Sequence, residues 1–208
     1  MSETDESNLN AAEDATPVRK RPRPGERRQQ ILQTLASMLE QPGAERVTTA
    51  SLAAKIGVSE AALYRHFASK AQMFEGLIDF VDQSVIGLIR QVTDREPAGP
   101  NQAARIVALL LQFSEKNPGM CRVMTGDALV LEHERLQERI NLLFDKIEAQ
   151  LRQSLREANA ASSTPTVDTQ VQASVLVAFM QGRLQRFVRS GFKRLPSEHL
   201  QAALARVL

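Results

Sequence analysis

The side chains able to hold a phosphate gather between Thr48 and Lys70. Thr48, Thr49, Ser59, Tyr64, His66 and Lys70 supply hydroxyls, an imidazole and an ammonium within one short stretch. Such groups bond phosphate oxygens, which fix a protein's register on a duplex but carry no sequence information. Ala62, among them, is small enough to let a helix close on bases and can touch a thymine methyl. Side chains for covalent or metal chemistry do not gather. His66, His133 and His199 are far apart, and no pair has the i, i+4 spacing of a helical metal site. Glu132, His133 and Glu134 are adjacent, which suits a metal or acid–base cluster or, more simply, a solvated helix face. The single Cys121 excludes an internal disulfide, and with no His or basic cap beside it reads as a small apolar residue. Neither GxxxxGK[ST] nor GxGxxG occurs. The expectation is a protein that is not an enzyme, with no cofactor and no metal.

The elements that must carry these groups are legible around them. After Thr49, Leu52, Ala53 and Ile56 share one face of a short helix, and Gly57 tolerates the left-handed backbone of a tight turn. Val58 can plug the gap to a second helix, which Ser59 can cap with Glu60 in its first turn. Leu63 and Phe67 lie four apart and can close on Leu52 and Ile56. That leaves Ser59, Glu60, Ala62, Tyr64 and His66 for a groove or its phosphate walls, as in a helix-turn-helix. Two assignments stay open: Tyr64 can contact phosphate or pack beside the first helix, and Arg65 can face outward or pair with Glu75.

The remainder of the 208 residues supports an all-α fold of about nine helices, since no stretch alternates at period two for long enough to be a strand. Residues 1–24 lack apolar periodicity and are expected to be a disordered arm, acidic to about residue 15 and basic after it. In that arm Arg19, Lys20, Arg21 and Arg23 alternate with prolines, and Arg27 follows. An extended cationic chain can track a narrow minor groove, or it can be a solvated linker. Residues 25–69 are expected to form the DNA-binding domain and 70–208 a larger helical domain. The predicted helices run from about Gly25 to Glu40, Lys70 to Asp94, Asn101 to Lys116, Met120 to Met124, Ala128 to Ala158 and Val167 to Gly191, with a last one from Pro196 to Leu208. Pro42-Gly43 and the stretch Ala160 to Thr166 read as a stop and a link. The longest apolar runs, Ile106–Leu111 and Val175–Met180, fall far short of the roughly 20 residues that span a bilayer. No secretion signal opens the sequence, so a soluble, cytoplasmic protein is expected.

Gly57, Ser59, Ala61, Ala62, Leu63, Tyr64, His66, Phe67 and Lys70, in the order VSEAALYRHFASK, resemble the signature of the TetR family of DNA-binding proteins. The resemblance implies that Tyr64, His66 and Lys70 contact the DNA backbone and that the protein acts as a homodimer. Two recognition helices then sit about 34–36 Å apart on duplex DNA. Val175, Phe179, Gly182 and Phe187, together with Val171 and Ala178, are candidates for the dimer face, or for the monomer's own core.

A narrower resemblance covers Phe113 to Gly119, Leu131 to Arg152 and Arg186 to Lys193, which look like the nucleoid-occlusion branch of that family. It implies a nucleoid-associated protein that binds double-stranded chromosomal DNA, with several dimers per site left open. So bound, it inhibits ring assembly by the tubulin-like division protein FtsZ. The partner surface of that branch lies on the fourth and fifth helices, which here offer Phe80, Leu88, Arg90, Leu109, Gln112 and Lys116. Phe80 and Leu109 could equally be core. The alternative within the same family is a transcriptional repressor released by a small effector.

Overall fold

The computed structural model describes residues 25–41, 46–160 and 168–208, and every regular element among them is helical. The acidic and basic arm, the Pro42-Gly43 stop and the link after Ala160 therefore lie outside the described residues. Helix α1 spans Glu26–Leu39 and turns Ile31, Leu35, Ala36 and Leu39 inward. Helix α2, Thr49–Ile56, is capped by Thr48, whose hydroxyl accepts from the Ser51 amide while Ser51 returns the bond to the Thr48 amide. Gly57 ends α2 at φ 76°, as a left-handed residue must at this turn, and α3 follows over Glu60–Tyr64 under a Ser59 cap. Ser69 caps α4, Lys70–Thr93.

The larger domain continues with α5 (Pro100–Lys116), α6 (Pro118–Met124), α7 (Glu134–Ala160), α8 (Thr169–Arg189) and the short α9 (Leu200–Leu204). Two expectations are corrected. The long seventh helix does not begin at Ala128: Asp127–Leu129 is a single 3-10 turn and Leu131 takes a left-handed backbone at φ 67°, so the helix restarts only at Glu134. The last helix is one turn and a half rather than reaching from Pro196 to Leu208, because Pro196, Ser197 and Glu198 lie in a turn that ends at His199 with φ 54°.

The buried side chains form one continuous cluster from Ile31 to Leu204, so α4 is a shared strut between the small unit and the larger domain. Its Gly76 is approached by Leu32 and Phe67 of the small unit. On the other side, α6 lies against α1 so closely that a Cβ on Gly119 would sit 2.2 Å from the Ala36 carbonyl oxygen. Helices α4 and α7 run parallel and are laced by Glu75–Arg135 (2.7 Å), Asp79–Arg139 and Asp82–Lys146 (2.8 Å).

Candidate nucleic-acid interface

The inward half of the helix-turn-helix is sealed. Leu52, Leu63 and Phe67 are buried and Ile56 is partly so, packed as their spacing predicts. Arg28 of α1 reinforces this: its guanidinium lies 4.1 Å from the Phe67 ring centroid and donates to the His66 carbonyl at 3.0 Å. That tie fixes the end of the recognition segment, and sequence reasoning missed it, since no local pattern marks a pair 38 residues apart.

The outward half is open. Tyr64 is 46% exposed, Glu60, Arg65 and His66 are exposed and Ala62 is partly so. That exposure leaves Tyr64 open to a contact while part of its ring stays covered. Arg65 does not pair with Glu75, because Glu75 is taken by Arg135. The threonines are already engaged: Thr48 in its capping box, and Thr49 Oγ1 as a donor to Glu60 Oε2 at 2.6 Å. Ser59 Oγ accepts from the Ala62 amide at 3.3 Å. Arg27 bonds Gln30 at 2.7 Å, and Arg19, Arg21 and Arg23 lie outside the described residues. Lys70 is the most constrained of the set. Its Nζ lies 2.5 Å from Glu132 Oε1, and Arg46 Nε reaches the same oxygen at 3.0 Å. Neither partner was legible in the sequence.

On the larger domain, Phe80 is 50% exposed, which removes the core alternative for it. Arg90, Gln112 and Lys116 are exposed too, Leu88 is partly buried, and Leu109 leans on the core. Of the dimer candidates, Val175 is 45% exposed, a Cβ added at Gly182 would meet nothing within 4 Å, and Phe179 lies under the Arg183 guanidinium. Phe187 is a correction: at 2% exposure it faces the monomer's core and meets Phe192 in a tilted ring pair, centroids 5.2 Å apart. Helix α8 carries apolar residues on both sides, and burial of one side excludes Phe187 from the free one.

The residues weighed for other chemistry have structural tasks. His133 is not on the charged helix but before it, where its Nδ1 accepts from the Arg135 amide and its carbonyl from the Leu136 amide. Among the described residues, no three His, Cys, Asp or Glu side chains come together as metal ligands. Cys121 is fully buried, and burial pushes its thiol from 9.0 up to about 12, against a smaller opposing effect of the Ser114 hydroxyl. Among the described residues, no helix is long and apolar enough to cross a membrane.

A capped two-helix unit with one face sealed and the other open, carried on a larger helical domain through a shared strut, defines a TetR-type DNA-binding protein. Residues 31–77 match the family of bacterial regulatory proteins of the tetR type, and residues 101–206 match the SlmA-like, tetracyclin repressor-like C-terminal domain. The chain is 51% identical over 177 residues to the nucleoid occlusion factor SlmA of Idiomarina loihiensis, covering 85% of this chain and 90% of that one. With SlmA of Vibrio cholerae it shares 52% over 174 residues, 82% and 88% of the two chains. The chain belongs to the SlmA nucleoid occlusion factors of the TetR family. Its fold is also that of the TetR regulator PfmR from Thermus thermophilus, at TM-score 0.68 and 22% identity, covering 87% of this chain and 95% of that one.

Proposed function

We propose that this protein binds specific chromosomal sites as a homodimer and, so bound, restrains assembly of FtsZ over the nucleoid. The observation that carries the DNA half is the division of labour on α3 and the turn after it: Leu63 and Phe67 are buried while Tyr64 and His66 are exposed. A helix presented in this way can enter a major groove with its hydroxyl and imidazole groups toward the phosphate walls. Arg19, Arg21, Arg23 and Arg27 extend the contact along the backbone, and Ala62 admits close approach to the bases. The exposed face of α8 around Val175 and Gly182 supports pairing of two copies, since Gly182 lets a second helix come close.

The FtsZ half goes beyond the relatives' shared name, nucleoid occlusion factor, and draws its support from the α4–α5 surface. There an exposed Phe80 lies on one helix, and Gln112 and Lys116 lie on the other, with Arg90 toward the end of the first. An apolar anchor with cations beside it suits an acidic, partly apolar tail that docks in a groove. Co-sedimentation of FtsZ polymers with the protein, with and without site-bearing DNA, tests it. Polymer yield should fall only when DNA is present, and Phe80→Asp should abolish the fall without weakening DNA binding. Unchanged polymer yield with DNA-loaded protein would reject this half.

One observation favours a second reading, the effector-released repressor. A groove of about 530 Å³ runs between α5 and α9, lined by Ala104, Ala108, Leu200, Leu204 and Leu208 with Arg105 at its edge. Release from DNA by a small-molecule extract, lost on Ala108→Phe, would support that reading instead.

A further inference from the structure

Lys70 opens α4 at the DNA-binding unit, yet its ammonium is already spoken for. Glu132 Oε1 accepts from Lys70 Nζ at 2.5 Å and from Arg46 Nε at 3.0 Å, and the Lys70 ammonium also lies 5.5 Å from the Phe74 ring centroid. Glu132 belongs to the connection between α6 and α7, in the larger domain. Its side chain is only 7% exposed, so its charge is poorly screened by water. Arg46 Nη2 also holds the Leu131 carbonyl at 3.0 Å, at a residue whose left-handed backbone is unfavourable for any side chain with a Cβ. Val130 and Leu131 are exposed, whereas Leu129 just before them is buried. The connection is thus anchored on the core by Leu129 and Ala128, and its Glu132 end is tied to the DNA-binding unit through charge.

The ion pairs between α7 and α4 sharpen the point. Glu75, Asp79 and Asp82 put acids on α4 opposite bases on α7, whereas Lys70–Glu132 reverses the signs at the DNA end. The neighbouring Arg122–Asp127 pair, 2.6 Å apart, satisfies itself and leaves Glu132 with Lys70 and Arg46 as its charged partners.

We infer that Glu132 is a positioning residue that competes with DNA phosphate for Lys70, and thereby couples DNA occupancy to the α6–α7 connection. This rests on the reading of Lys70 as a phosphate contact. A phosphate brought to Lys70 meets a second anion on the same ammonium, so it must displace Glu132 or bind against its repulsion. Displacement loosens the Glu132 end of the connection. By linkage, anything that holds the connection closed weakens DNA binding by the same factor.

The test is a double-mutant cycle on the full chain, read by fluorescence anisotropy with a chromosomal duplex that the wild type binds. Glu132→Gln keeps the shape and removes the charge. It should tighten binding roughly five-fold, the scale of one partly exposed ion pair. Lys70→Gln should weaken binding, and adding Glu132→Gln to it should bring no gain, because the effect acts through Lys70. A purely structural role would shift affinity regardless of Lys70. Independently of any variant, DNA should speed hydrogen exchange of the wild-type Glu132 amide, which bonds the Leu129 carbonyl at 2.9 Å. A Glu132→Gln protein no tighter than wild type, a gain that survives Lys70→Gln, or an exchange rate indifferent to DNA would overturn the inference. If Lys70→Gln itself leaves affinity unchanged, the phosphate role of Lys70 is what fails, and the inference with it. Wild-type protein that binds no duplex would instead remove the whole DNA reading.

Discussion

Thr49 Oγ1 donates a 2.6 Å hydrogen bond to Glu60 Oε2, tying the first turn of α2 to the first turn of α3. The bond spans the turn at Gly57, so it helps set the angle at which α3 is presented. Thr49→Val, which keeps the shape and loses the donor, is expected to cost about 1 kcal/mol in urea unfolding. Glu60→Gln should cost less, since an amide oxygen still accepts.

Gly119 and Gly182 are expected to respond in opposite ways to alanine. At Gly119 the new methyl would strike the Ala36 backbone at 2.2 Å, where no flexible side chain can yield. Gly119→Ala should therefore destabilise the fold by about 1–3 kcal/mol and loosen α6 from α1. At Gly182 nothing of the same chain lies within 4 Å, so alanine in mid-helix gains about 0.5–1 kcal/mol over glycine within the protomer, a gain that close pairing of two α8 helices at Gly182 would offset. Thermal unfolding of both variants checks the contrast.

The dimer face is separately testable. Val175→Asp places a charge on an exposed apolar position of α8, which should leave a folded monomer stable. If two copies pair there, sedimentation equilibrium should register a shift toward monomer. A distribution identical to wild type would place the interface elsewhere.

Cys121 should behave as a protected thiol. With its pKa raised to about 12 by burial, it stays protonated in the fold, while an unfolded cysteine ionises near 9.0. Between those values the folded state binds more protons than the unfolded state, so this contribution is complete below pH 9 and stability declines as pH rises toward 12. Alkylation with iodoacetamide at about pH 8, below the ordinary thiol range, should be negligible in the native protein and rapid in guanidinium.

Removal of residues 1–24 tests the cationic arm. With Arg19, Lys20, Arg21 and Arg23 gone, the slope of log affinity against log salt should shrink by up to roughly 3.6, at about 0.9 for each phosphate the arm neutralises. An unchanged slope would mean that the arm makes no phosphate contacts.

The chain's local grammar was sufficient for the helix-turn-helix and for most helices, though not for the start of α7 or the extent of α9. Ser59 and Ser69 cap, Gly57 turns, and Leu63 and Phe67 close inward, because each depends on neighbours within four residues. Tertiary structure alone decided the rest. Periodicity finds apolar residues on α8 but cannot say which side meets the core, so Phe187 and Val175 parted only on packing. His133 left the helix because Leu131 turns left-handed, and no residue type announces that. Lys70 found Glu132 from 62 positions away. Ion pairs at that separation leave no mark on sequence spacing, since chain folding, not local preference, brings the charges together.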